Sequence, residues 1–104
     1  MSIARRGELW WAVTGAKRRP VVVISADAMN RRLAKVIVIP GTTNLRGWPD
    51  ELLLATGLLP HDTAFCCREI TPLSADLLVD RAGRVSDDWL AKACQLIGSV
   101  LGCS

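Results

Sequence analysis

Two guanidinium groups, Arg18 and Arg19, stand directly before Pro20 and the apolar run Val21-Val22-Val23-Ile24. Two hydroxyls, Thr42 and Thr43, follow a second apolar run, Lys35-Val36-Ile37-Val38-Ile39. If these runs are neighbouring antiparallel strands, the start of one lies beside the end of the other. Arg19 and Thr42 then converge on one spot although they are far apart along the chain. Such a pair is suited to a phosphodiester. Arginine binds it through a planar, two-point, charge-assisted fork, and threonine donates a hydroxyl bond to a non-bridging oxygen. The plain alternative is a surface arginine and a turn threonine, and composition alone favours that alternative.

Other chemistries fall away. The chain carries no GxxxxGK[ST] phosphate loop, no GxGxxG, no HExxH and no GxSxG. A two-metal nuclease needs clustered carboxylates; here Asp50-Glu51 read as a strand edge, and Asp87-Asp88 as the acidic start of a helix. The four cysteines, at 66, 67, 94 and 103, form no CxxC pair. Cys66 and Cys67 are adjacent, so in a strand they point to opposite faces and cannot share a tetrahedral site. All four read as small apolar filler, and no metal or cofactor is expected. His61 is the only histidine, which excludes a two-histidine ribonuclease. Following Pro60 in a loop, it reads as a solvated turn residue.

The elements that must position these groups are mostly strands. Glu8–Val13 is an aromatic and aliphatic strand, Thr14–Arg19 a tight basic connection and Pro20–Ile24 a second strand, with proline tolerated at its start. Ser25 caps a short helical turn through Arg32, Lys35–Ile39 is a third strand, and Gly41–Asn44 closes it as a turn. Glu51–Leu54 and Thr63–Arg68 read as strands; Thr71–Leu73 and Val79–Val85 read as a pair around Ser74–Asp76. Ser86 caps a terminal helix whose core stripe is Leu90, Ala93, Cys94, Ile97 and Leu101, while Trp89, Leu96 and Val100 fall off it. Trp10 and Trp11 alternate faces, so at most one is fully in the core. Short connections favour antiparallel pairing over crossovers. The expected fold is mainly β, a small barrel or curled antiparallel sheet with a C-terminal helix.

The 104 residues fit one domain, 1–104, with a globular composition of 50% hydrophobic and 22% charged residues. No secretory pattern opens the chain, and no apolar stretch approaches the ~20 residues of a membrane span. A soluble, cytoplasmic protein is expected. The formal charge of +3 is unevenly spread: net +7 before Pro49 and net −4 from there on. A basic front half suits a polyanion. Lys17, Arg18, Arg31, Arg32, Lys35 and Arg46 are candidates for a phosphate track around Arg19, with Trp48 as a base-stacking platform.

The ordered strings Arg6-Gly-Glu-Leu-Trp-Trp11, Arg19-Pro-Val-Val-Val-Ile-Ser25, Asp27 with Asn30-Arg31, and Val36-Ile-Val-Ile-Pro40 followed by Thr42-Thr43-Asn44 resemble the MazF/PemK (Kid) family of toxin endoribonucleases. Ala82-Gly-Arg-Val-Ser86, leading into a helix that ends Leu101-Gly102, looks similar too. The resemblance spans nearly the whole chain. It implies an SH3-like β-barrel with a C-terminal helix, a homodimer, metal-independent cleavage of single-stranded RNA, and neutralisation by a cognate antitoxin. It carries the family's catalytic arginine onto Arg19 and its catalytic threonine onto Thr42, with Thr43 one residue out of register. Thr43 and Asn44 join the RNA-binding candidates. Two departures stand out. The connection before Arg19 is shorter than the family's glutamate-bearing loop. Arg68-Glu69 stands where many relatives carry an acid followed by glutamine.

The implied reaction uses the RNA's own 2′-OH, leaving a 2′,3′-cyclic phosphate and a 5′-OH, with no base identified. Two other readings stand beside it. One is a gyrase-poisoning toxin of the CcdB type on the same scaffold, its terminal helix and Trp89 contacting the target. The other is an RNA-binding module without chemistry.

Overall fold

The computed structural model describes residues 4–55 and 57–103. Its strands are β1 (Glu8–Thr14), β2 (Lys17–Val23), β3 (Lys35–Thr42), β4 (Glu51–Leu54), β5 (Thr63–Cys66), β6 (Thr71–Ser74) and β7 (Leu78–Arg84); the helices are α1 (Asp27–Arg32) and α2 (Asp87–Val100). Among the described residues every strand pairing is antiparallel. The strands form one sheet in the order β4-β5-β3-β2-β1-β7, with β6 on β3 beside it. The architecture is therefore a curled antiparallel sheet with a C-terminal helix, and the hydrogen-bonded path does not close into a ring.

β2 is buried from Pro20 to Val23 because both faces of the central strands are covered. On one face Leu9, Val22, Ile39, Phe65, Leu54 and Cys67 pack with Val85, Leu90 and Ala93 of the C-terminal segment. On the other, Trp10, Ala12, Val21, Val23, Val36 and Val38 pack together with Leu73 and Leu78. Alternation along one strand thus feeds two cores. Trp10 is buried and Trp11 half-buried.

Several local expectations change. The β1–β2 turn is only Gly15-Ala16, with Gly15 at φ +66°, so Lys17, Arg18 and Arg19 are exposed strand residues rather than a connection. Ala26, not Ser25, is the N-cap of α1. The Ser25 hydroxyl instead donates to Asn30 Oδ1 and accepts the Ile37 N–H, while Asn30 Nδ2 donates to the Ser25 carbonyl. β3 runs on to Thr42, and β5 stops at Cys66, followed by a 3-10 turn at Cys67–Glu69. β6 and β7 do not pair with each other: β6 joins β3 and β7 joins β1.

Ser86 caps α2 as expected, accepting the Trp89 N–H at 3.1 Å. Its buried stripe differs in detail. Leu90 and Ala93 are buried and Ile97 is partly so, but Cys94 and Leu101 are exposed. Leu96 and Trp89 pack on the core instead. Trp89 meets Phe65 edge-to-face, centroids 5.5 Å apart, and its indole donates to the Leu53 carbonyl at 3.0 Å. That leaves the indole committed within its own chain rather than offered to a target. Among the described residues no helix is long and apolar enough to cross a membrane.

Candidate active site

The β2–β3 ladder pairs Val23 with Val38, Val22 with Ile39 and Val21 with Pro40. Continued by two residues, the same register sets Arg19 opposite Thr42, with side chains on one face of the sheet. Arg19, Thr42 and Thr43 line one cleft of about 270 Å³ together with Trp11, Lys17, Arg18, Pro20, Gly41, Leu59, Pro60, His61 and Thr63. Arg19 and Thr42 also border a smaller hollow of about 160 Å³, whose other walls are Pro40, Gly41, Arg46, Cys66 and Glu69. Gly41 permits this close assembly. A Cβ there would lie 2.7 Å from Thr63 Cγ2 and 2.8 Å from the Phe65 ring.

The Arg19 guanidinium is exposed and makes no hydrogen bond or ion pair to any described residue. Its neighbours differ. Arg18 pairs with Asp80 and lies 5.6 Å from the Trp11 ring centre. Arg46 donates from Nε to Glu51 Oε2 at 2.7 Å and stacks 3.8 Å over the Trp48 ring. Arg68 binds Asp50 at 2.8 Å and approaches the same indole at 5.3 Å. Arg19 is thus left with its full complement of donors for an anion. Thr42 Oγ1 accepts the Asn44 N–H at 3.1 Å, which turns the chain out of β3 and leaves the hydroxyl proton free to donate onward.

Burial raises the Asp50 carboxyl's affinity for its proton, but the Arg68 guanidinium outweighs it and holds the group below the ordinary carboxylate range. Burial pushes the Cys66 thiol up, and burial pushes Cys67 up to about 11. Both remain thiols at neutral pH, so neither is a nucleophile here. Cys66 donates weakly to Asp50 and Cys67 fills the core, whereas Cys94 and Cys103 are exposed rather than apolar filler. Among the described residues no three His, Cys, Asp or Glu side chains are grouped to hold a metal.

The basic candidates do not form one track. Lys17 and Arg18 share the cleft with Arg19, and Thr43 lies on its rim. Asn44 follows just beyond β3, and Arg46 sits in the adjoining hollow, engaged by Glu51. Trp48 has one partner already stacked on it. Arg31, Arg32 and Lys35 lie elsewhere: Lys35 opens β3 while Thr42 ends it, separated by about 23 Å of extended strand at ~3.3 Å per residue. The charge asymmetry along the sequence is also evened out in space, since Arg18 and Arg46 pair with Asp80 and Glu51 of the acidic half, and Arg81 pairs with Glu8. Two residues beside Arg19 and Thr42 were not candidates from sequence, His61 in the cleft and Glu69 in the hollow. Their residue types were visible; their placement depends on how β5 docks on β3.

The probable endoribonuclease MazF5 of Mycobacterium tuberculosis is 35% identical over 106 residues, covering 99% of this chain and 97% of that protein. Among solved structures, MazE–MazF from Deinococcus radiodurans superposes with a TM-score of 0.87 at 25% identity over 100% of both chains. An endoribonuclease in complex with its cognate antitoxin from a mycobacterial species gives 0.86 at 24% identity over 97% of both. The model of the PemK-like, MazF-like toxins of type II toxin–antitoxin systems matches residues 5–101. With the cleft built on the residues that carried the resemblance, the chain belongs to that toxin family.

Proposed function

We propose that this protein, acting as a single toxin domain over residues 1–104, is an endoribonuclease that cuts single-stranded RNA without a metal ion. The observation that carries the reading is the Arg19 guanidinium, paired with no described residue and lining one cleft with Thr42. The 2′-OH attacks its own phosphate in line, giving a 2′,3′-cyclic phosphate and a 5′-OH. Arg19 stabilises the charge that develops on the phosphorane, an effect commonly worth about 10²–10³ in rate. Thr42 donates to a non-bridging oxygen and fixes the phosphate against the arginine fork. Lys17 and Arg18 flank the scissile phosphate, and Thr43 and Asn44 lie where the next nucleotide leaves the cleft. Arg46 and Trp48 contact RNA only if their present partners yield. Arg31, Arg32 and Lys35 serve, at most, RNA that extends well beyond the cut.

Support for the activity comes from the 35% identical relative named as a probable endoribonuclease. The relative solved with its cognate antitoxin supports regulation by such a partner. Exposed apolar side chains, among them Ile37, Leu53, Leu77 and Val79, supply surface for an antitoxin and for a homodimer. A cytoplasmic location follows from an RNA target. The test is incubation of the purified protein with RNA in EDTA, followed by end-group mapping. Cyclic phosphate and 5′-OH ends are expected; no cutting, or cutting that requires Mg²⁺ and leaves 3′-OH ends, would overturn the proposal.

A further inference from the structure

His61 lines the same cleft as Arg19, Thr42 and Thr43. Its loop is tethered rather than free. Pro60 restricts the backbone just before it. The Thr63 hydroxyl donates to the His61 carbonyl at 3.0 Å, and Thr63 is itself buried as the first residue of β5. The imidazole therefore stands two residues from a fixed strand.

In-line attack needs a group that takes the 2′-OH proton. Ammonium and guanidinium groups hold their protons at neutral pH, so Lys17, Arg18 and Arg19 cannot accept one, and threonine hydroxyls are far too weakly basic. Among the described residues no carboxylate lines this cleft; Glu69 borders the smaller hollow, together with Arg19, Thr42 and Arg46. An imidazole ring carries a nitrogen lone pair that can take a proton, and His61 is the one described liner suited to the role.

We propose that His61 is the general base of RNA cleavage, an assignment that rests on the endoribonuclease reading. The 2′-oxygen–phosphorus bond forms as the phosphorus–5′-oxygen bond breaks. The 2′-OH proton passes to a ring nitrogen of His61, water supplies a proton to the departing 5′-oxygen, and Arg19 bears the charge in between. His61 then returns its proton to solvent. The charged groups that share the cleft with His61 are Lys17, Arg18 and Arg19 from β2, and Asp62 follows it in its own loop.

The test is single-turnover cleavage of RNA in EDTA by wild type, His61→Gly and His61→Gln across acid to alkaline pH, with and without imidazole in the buffer. General-base catalysis contributes about 10²–10⁴-fold, and a loss of that order is expected in both variants. Thermal midpoint and affinity for a non-cleavable 2′-O-methyl RNA should hold. The acid limb of the rate profile should vanish, and added imidazole should partly restore His61→Gly but not His61→Gln. Variants that cleave at the wild-type rate, a loss explained by weaker RNA affinity, or an acid limb that persists without imidazole rescue would each overturn the assignment while leaving the endoribonuclease standing. Wild-type protein that leaves RNA intact would overturn both.

Discussion

Gly41 and Phe65 are paired across β3 and β5 so closely that a methyl group on Gly41 would sit 2.8 Å from the ring. The neighbouring Thr63 methyl is nearer still, and both belong to β5, which pairs with the site's own β3. Gly41→Ala is therefore expected to destabilise the fold by about 1–3 kcal/mol through overpacking. It should also cost activity beyond any unfolding, because Gly41 lines both the cleft and the hollow. Thermal unfolding checks the first part; an unchanged midpoint would mean that β5 can retreat from β3.

Arg19→Ala should lower cleavage about 10²–10³-fold while leaving stability within about 0.5 kcal/mol, since the guanidinium is exposed and bonded to no described residue. Arg19→Lys is the sharper variant. It keeps the charge but loses the planar fork, so activity should stay well below wild type. Normal cleavage by the lysine variant would show that charge alone suffices.

Thr42→Ala should abolish most cleavage and remove the hydroxyl that accepts the Asn44 N–H, at about 0.5–1.5 kcal/mol. Thr43→Ala should be mild by comparison. Parallel kinetics on the two variants decide the register: a dead Thr43→Ala beside an active Thr42→Ala would shift the catalytic hydroxyl by one residue.

Two arginine–carboxylate pairs near the site should behave differently. The Arg18–Asp80 pair is exposed, with 53% and 63% of each side chain accessible, so Arg18→Ala should change stability by less than about 0.5 kcal/mol. The Glu51 side chain is only 4% accessible, and its Oε1 has no partner among the described residues. Arg46→Ala would strip Oε2 as well, leaving a buried carboxylate uncompensated, which typically costs about 3–5 kcal/mol. Denaturant unfolding of the two variants should separate them clearly; equal effects would mean that Glu51 readily reaches water.

Burial pushes the Glu8 carboxyl up, but the Arg5 N–H, Arg81 and the Trp10 indole together outweigh it and hold the group below its ordinary value of 4.5. A carboxylate depressed on folding adds stability that is complete above its unfolded pKa and is lost as pH falls towards the folded one. Stability should therefore decline as pH drops below about 4.5. Glu8→Gln should flatten that part of the profile while lowering stability near neutrality. A profile of the same slope in both proteins would remove Glu8 as its source.

What was legible in the sequence follows from how local each signal is. The meeting of Arg19 and Thr42 needed only two apolar runs to lie antiparallel, and runs as apolar as Val21–Ile24 have nowhere to go but the middle of a sheet. The start of β2 was harder. Lys17, Arg18 and Arg19 look like a loop because they are charged, yet pairing with Thr14, Val13 and Ala12 makes them strand, with their heads in water. Ser25 has the chemistry of a cap, but the buried Asn30 claims its hydroxyl first.

The partners of β6 and β7 were not legible, because each is chosen by a strand more than thirty residues upstream. Local alternation specifies which face a residue takes, not which neighbour its strand finds. The placement of His61 has the same origin. Its loop reads as ordinary solvated chain until β5 seats against β3 and carries it to Arg19's side of the sheet.

Burial of β2 on both faces has a kinetic consequence for the site. Amides in the middle of a doubly covered strand exchange with solvent only when much of the molecule opens, whereas a loop tied down at one end exchanges through local motion. The cleft thus joins a slow wall, carrying Arg19 on the continuation of Pro20–Val23, to a faster one, carrying His61. RNA seated between them would slow exchange chiefly at the loop amides around His61, and scarcely at Val21–Val23, whose protection is already set by global unfolding.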